Sequence, residues 1–104
     1  MNQLSFEILV NPSVPTEDEL RLSRQAHRLY RLFLSAYRTG LFVSNLQMAE
    51  VGLLYQSRLY ELRRALIPCG WCVDLVKKGD KGLCFYQLVR LEKSTFFAQH
   101  KERL

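Results

Sequence analysis

The stretch from Val43 to Leu91 constrains the fold most, because it places four elements in a fixed order. Ser44 and Gln47 form a capping box, which predicts the start of a short helix that ends at Gly52. Glycine at that position allows the positive φ that a tight turn between two helices commonly requires. A second helix and two strands joined by a basic turn follow. The stretch therefore predicts two helices meeting at a turn, and then a hairpin.

The second helix is expected from Leu54 or Tyr55 to Leu66, before Pro68 and Gly70 end it. Its apolar residues recur at intervals of four, three and four, which turns one face towards a core. The opposite face then carries amide, hydroxyl and guanidinium groups, which can hydrogen-bond base edges and phosphates. The predicted core residues are Tyr55, Leu59, Leu62 and Leu66, and the predicted outward residues are Gln56, Ser57, Tyr60, Glu61, Arg63 and Arg64.

Two strands are expected over Trp71–Lys77 and Cys84–Leu91, with the turn KKGDKG between them. Lys77, Lys78 and Lys81 place three cations at the tip of this hairpin. Such a tip beside a helix that enters a DNA groove can follow phosphates. Lysine at an exposed tip also discourages edge-to-edge aggregation, so the tip alone does not decide between the two roles.

The N-terminal half is expected to hold a strand over residues 4–10, where Leu4, Phe6, Ile8 and Val10 alternate. Thr16 and Glu19 form a capping box pattern, which predicts a long helix over residues 17–39 with Gly40 as its left-handed end. An arginine stripe runs along one face of this helix, and it fits either a solvated surface, a phosphate contact or a subunit interface. Its members are Arg21, Arg24, Arg28 and Arg31.

Composition and charge bound the function classes. With 104 residues and 48% hydrophobic residues, the chain fits one folded domain. The net charge is +5, and the excess of Lys and Arg over Asp and Glu falls entirely within residues 53–104. No apolar run is long enough to span a bilayer, and the first residues lack a secretory pattern, so we expect a cytoplasmic protein with no membrane partner.

The order of elements predicts an α+β fold, a winged helix-turn-helix with three main helices and a two-stranded C-terminal wing. We expect residues 1–15 to form an N-terminal extension, residues 16–91 the domain, and residues 92–104 a tail able to form an amphipathic helix. Phe96 and Phe97 in that tail need a buried environment, which would be supplied by a homodimer if one chain is too small to cover them.

The run SRLYELRRAL, followed by Gly70 and a hairpin with FYQLVRL, resembles the phage-type helix-turn-helix family of small winged-helix proteins. About half the chain takes part in the resemblance. It implies DNA binding, often in phage or mobile-element contexts. The positions that carry it are Ser57, Arg58, Leu59, Glu61, Leu62, Arg63, Gly70, Tyr86 and Leu88.

These observations predict a sequence-specific binder of double-stranded DNA that acts as a small transcriptional regulator. The alternative is a winged-helix module that assembles a larger protein complex. Nothing in the sequence indicates a small-molecule substrate, a cofactor or an enzyme, because no phosphate-binding loop or paired catalytic carboxylates are recognisable. The predicted DNA contacts are Gln56, Ser57, Arg58, Tyr60, Arg63, Arg64, Lys77, Lys78 and Lys81.

The cysteines offer a competing zinc-site hypothesis. Cys69 and Cys72 form one tight pair, and Cys84 and His100 would complete a tetrahedral set. Structural zinc sites usually show two tight pairs, and only one exists here. The sequence therefore favours reduced thiols and no metal.

Overall fold

The computed structural model describes residues 13–103, of which residue 103 is described by its backbone only. Its described part has an α+β architecture of four α-helices and a three-stranded antiparallel sheet, with short 3-10 turns between them. The helices are α1 (Arg24–Thr39), α2 (Asn45–Val51), α3 (Tyr55–Leu66) and α4 (Thr95–His100), and the strands are β1 (Val43–Ser44), β2 (Trp71–Lys78) and β3 (Cys84–Arg90). The strand predicted over residues 4–10 lies outside the described residues.

The sheet has the order β1-β3-β2, so the predicted two-stranded wing is wrong in its strand count. β2 and β3 form the hairpin, with Trp71 opposite Arg90 and Lys78 opposite Cys84. β1 adds a third strand, in which Val43 pairs with Tyr86 and Ser44 with Phe85. Two residues are too few for an alternating pattern to identify a strand from sequence.

The core lies between α1, α3 and the inner face of the sheet. The apolar phase predicted for α3 is confirmed for its three leucines, while Tyr55 is half-buried against the same cluster. The largest fully buried side chains come from both long helices, from α2 and from all three strands. They are Tyr30, Phe33, Leu29, Met48, Leu62, Leu66, Leu88, Val43, Val73 and Cys72.

Helix α1 begins at Arg24, and the predicted start at residue 17 is wrong. Thr16 makes no side-chain capping bond, and Glu17–Glu19 form only a 3-10 turn. Ser23 caps α1 instead, since its hydroxyl accepts a bond from the backbone N–H of Ala26 at 3.3 Å. The predicted end is confirmed, with Gly40 at φ 71° in the left-handed region.

The turn between α2 and α3 differs from the prediction at one residue. The capping box of Ser44 and Gln47 is confirmed on both sides. Gly52, however, has φ 178°, so the backbone there is extended and does not require glycine. Its missing side chain matters for space: a Cβ at this position would lie 2.9 Å from Oε1 of Gln25. Gly52 thus lets α1 approach the turn.

The C-terminal tail is docked on the sheet through Asp74, a carboxylate that is only 4% exposed. Oδ1 of Asp74 accepts a bond from the Ser94 hydroxyl at 2.6 Å, and Oδ2 accepts bonds from the backbone N–H and hydroxyl of Thr95 at 2.7 and 3.0 Å. Ser94 also caps α4, since its hydroxyl accepts from the N–H of Phe97 at 3.0 Å. The tail is therefore part of the packed structure.

Candidate nucleic-acid interface

The outer face of α3, opposite its buried leucines, carries three exposed polar residues. Ser57, Tyr60 and Arg64 all lie there, and Tyr60 is 44% exposed. The guanidinium carbon of Arg64 lies 5.8 Å from the centre of the Tyr60 ring. A hydroxyl, a phenol and a guanidinium side by side can donate and accept hydrogen bonds to base edges and phosphates.

One flank of α3 is fixed to α1 through Glu61. Its carboxylate accepts bonds from the backbone N–H of Ser23 at 2.6 Å and from the Ser23 hydroxyl at 2.8 Å. Arg58 donates to the same carboxylate at 3.1 Å. Burial acts to raise the pKa of Glu61, but the two bonds from Ser23 and the one from Arg58 outweigh it and lower the pKa overall. Arg58 therefore positions α3 as well as carrying charge.

The other flank of α3 is fixed to the hairpin and the tail through Arg63. Its Nε donates to the carbonyl of Val73 at 2.8 Å, and its guanidinium carbon lies 3.7 Å from the centre of the Phe96 ring. Burial lowers the pKa of Arg63 from its usual value. Arg63 thus does not lie on the outward face that the sequence predicted for it. The aromatic partner, 33 positions further along the chain, could not be inferred from helical phase.

Gln56 lies on the same side of α3 as Arg63, at a groove between α3, the hairpin and α4. Its side chain is exposed. The groove encloses about 430 Å³ and has mixed polar and apolar walls. It is lined by Gln56, Leu59, Arg63, Leu75, Tyr86, Thr95, Phe96 and Gln99.

Lys77, Lys78 and Lys81 are all exposed, but only Lys81 lies in the turn of the hairpin, because Lys77 and Lys78 are the last residues of β2, opposite Phe85 and Cys84. Lys81 has φ 56°, in the left-handed region that the tight turn imposes. Sequence reasoning missed the residue that holds this tip. Asn45, the first residue of α2, donates to the carbonyl of Gly82 at 3.1 Å and accepts from the N–H of Cys84 at 2.9 Å.

The weak zinc alternative is not supported by the geometry. Cys72 lies opposite Val89 near the start of β2, whereas Cys84 lies at the other end of the hairpin, opposite Lys78. The His100 ring stacks on Phe96 at 4.3 Å. Among residues 13–103 no three His, Cys, Asp or Glu side chains are grouped so that they could hold a metal. Burial raises the pKa of the Cys72 thiol, which makes it a poor nucleophile.

No protein-family model matches the chain, and neither curated proteins nor solved structures give a match. None of the helices described is long and apolar enough to cross a membrane. The candidate interface is therefore defined by its own geometry alone.

Proposed function

We propose that the protein binds double-stranded DNA as a winged helix-turn-helix, with α3 in the major groove and the β2–β3 hairpin on the backbone. The observation that carries the proposal is the outer face of α3, where Ser57, Tyr60 and Arg64 are exposed while both flanks are held by other elements. The chain order of helix, short strand, two helices and hairpin, with the sheet order β1-β3-β2, fits this type of domain.

The residues then take different roles. Arg64 is suited to a bidentate contact with guanine and Gln56 to one with adenine, each worth about 1–3 kcal/mol of discrimination. Ser57 and Tyr60 contact bases or phosphates beside them. Lys77, Lys78 and Lys81 contact phosphates and contribute no sequence preference. Arg58 and Arg63 position α3 through Glu61 and Phe96.

The biological role that fits is a small transcriptional regulator in the cytoplasm, as the resemblance to phage-type helix-turn-helix proteins implies. A homodimer would present two α3 helices to a two-fold symmetric site. The cationic excess in residues 53–104, where α3 and the hairpin lie, supports a polyanionic partner.

Fluorescence anisotropy with a random labelled duplex, at about 50 and 200 mM salt, tests the proposal. Arg64→Ala and Lys78→Ala each remove a cation from the proposed DNA-binding surface, so both should weaken binding to the random duplex, and Lys78→Ala should reduce the slope of log affinity against log salt by about 0.9. Lys93→Ala serves as the matched control, since Lys93 is an exposed cation beyond the far end of the hairpin. If both test variants bind as tightly as the wild type, the proposal is wrong.

A second function, binding of a protein partner, is favoured by one observation. Leu53 and Leu54, in the turn that leads into α3, are 95% and 65% exposed. Two adjacent exposed leucines can pack against an apolar surface of a partner protein. Such an interface would respond weakly to salt, so the two salt concentrations that test DNA binding also separate the two functions.

A further inference from the structure

Arg21 precedes α1 in the structure, so the arginine stripe on this helix comprises Arg24, Arg28 and Arg31. The nearest acidic residues in the sequence are Glu17, Asp18 and Glu19 in the 3-10 turn before α1, and Glu50 after it. Residues 20–49 contain five arginines and no Asp or Glu. Between Arg24 and Ala36, every exposed side chain is polar: Arg24, Gln25, Arg28, Arg31 and Ser35. A protein interface usually includes an apolar or aromatic anchor at its centre. The exposed face of α1 between Arg24 and Ala36 lacks one, since the exposed Leu53 and Leu54 lie outside this helix, so the chemistry of this face fits a polyanion better than a protein.

Two contacts place the start of α1 beside α3. The side chain of Gln25 lies against Gly52, two residues before α3 begins its first turn at Leu54. The N-cap residue Ser23 is bonded to Glu61 in the second half of α3. The first two turns of α1 therefore run along the flank of the helix proposed to enter the groove.

The arginines of the stripe are not equally available to bind a ligand, because one of them already forms an ion pair. Arg31 forms an ion pair with Glu17, and Oε1 of Glu17 also lies 3.4 Å from Nε2 of His27. Arg24 and Arg28 are exposed, and neither forms an ion pair within residues 13–103. They are four positions apart on one helix, so their guanidinium groups lie on the same face. Two free guanidinium groups at this spacing can each donate two hydrogen bonds to the oxygens of a phosphate.

We propose that Arg24 and Arg28 form a second phosphate-binding surface, which contacts the backbone of the same duplex on the α1 flank of α3. The inference rests on the proposed function, because α3 must hold the duplex first. Helix α3 is about 18 Å long, while duplex DNA carries a charge roughly every 1.7 Å of its axis and extends past both ends of the helix. The phosphates of the duplex on the α1 side then lie within reach of Arg24 and Arg28.

The test compares Arg24→Ala/Arg28→Ala with Arg38→Ala in the duplex-binding assay. Arg38 is an exposed arginine in the last turn of the same helix, about 21 Å along the axis from Arg24. Alanine preserves helix propensity at exposed positions, and circular dichroism checks that each variant folds. Two lost phosphate contacts lower the slope of log affinity against log salt by about 1.8. A fourfold rise in salt should therefore reduce the affinity of the double variant by a factor about 12-fold smaller than the factor for the wild type. Arg38→Ala should match the wild type.

Three results would overturn the inference, and they are distinguishable. If the double variant keeps the wild-type salt dependence while Arg64→Ala weakens binding, the proposed function stands and the arginine pair serves something else, such as an acidic protein. If Arg38→Ala lowers the slope of log affinity against log salt by as much per removed charge as the double variant, any arginine of α1 contributes equally. Arg24 and Arg28 then do not form a defined phosphate-binding site. If the wild-type protein does not bind duplex, the inference and the proposed function both fail.

Discussion

Replacing Asp74 with alanine tests how firmly the tail is held. The carboxylate accepts three hydrogen bonds, one from Ser94 and two from Thr95, and it is almost completely buried. Bonds to a charged acceptor contribute about 1.5–3 kcal/mol each before the cost of burying the charge is subtracted. Alanine removes the acceptor and leaves the donors on Ser94 and Thr95 without a partner.

The loss of stability is limited by the free energy of docking the tail. When the free-energy cost of the unpaired donors exceeds the free energy of docking, residues 95–100 detach from the sheet. Their donors then form hydrogen bonds with water. Phe96 and Phe97, both half-buried, then become exposed. We therefore expect the free energy of unfolding to fall by about 2–3 kcal/mol, less than the three bonds together. For 104 residues the entropy of unfolding is about 0.22 kcal/mol/K, so the melting temperature should fall by about 10 °C.

Urea denaturation measures both the stability and the state of the tail. A detached tail reduces the surface exposed on unfolding, so Asp74→Ala should lower the m-value as well as the midpoint. Asp74→Asn keeps one oxygen for Ser94 but places an amide NH₂ near the N–H of Thr95, and should recover only part of the loss. Asp80→Ala is the control, because Asp80 is an exposed carboxylate in the hairpin turn. Equal midpoints for Asp74→Ala and Asp80→Ala would refute the reasoning.

Three further predictions concern the helices. Arg63→Leu should lower the free energy of unfolding by about 1–3 kcal/mol, because Val73 and Phe96 lose their partner, while leaving the salt slope of DNA binding unchanged in anisotropy. Gly40→Ala should cost about 1 kcal/mol in urea denaturation because of its left-handed φ, whereas Gly52→Ala should cost less, since only a flexible Gln25 side chain must move. Glu61→Gln should be less stable than the wild type at neutral pH. Because the pKa of Glu61 is lowered, this difference should be full above about pH 4.5 and shrink as the pH falls further in an acid titration of stability.

Helical phase was sufficient to predict which face of α3 is buried, but not what its flanks contact. The spacing of Leu59, Leu62 and Leu66 fixes the core side, because apolar burial depends only on the period of the helix. Arg63 and Glu61 sit at the borders of that face. Their partners are Phe96 and Ser23, 33 and 38 positions away, and such contacts depend on the path of the whole chain.

The start of α1 shows the same limit. Thr16 with Glu19 is a stronger local capping pattern than Ser23, which has no glutamate or glutamine three positions later. In the structure Ser23 is also bonded to Glu61 of α3, and the buried hydroxyl of Tyr30 donates to the carbonyl of Pro15 at 2.5 Å. These tertiary contacts fix Pro15 beside Tyr30 and Ser23 beside Glu61, and this path of the chain prevents α1 from starting before Arg24.

Both flanks of α3 are held by charged side chains, and this bears on what its outer face can recognise. Glu61 ties one flank to α1, and Arg63 ties the other to β2 and the tail. Leucine contacts alone tolerate small rotations of a helix, whereas hydrogen bonds with fixed directions do not. The rotation of α3, and hence the direction of Ser57, Tyr60 and Arg64, is therefore set by polar contacts outside the core. Under the proposed function, loss of either tie should broaden base preference before it weakens affinity, because the proposed phosphate contacts of the hairpin do not depend on the rotation of α3.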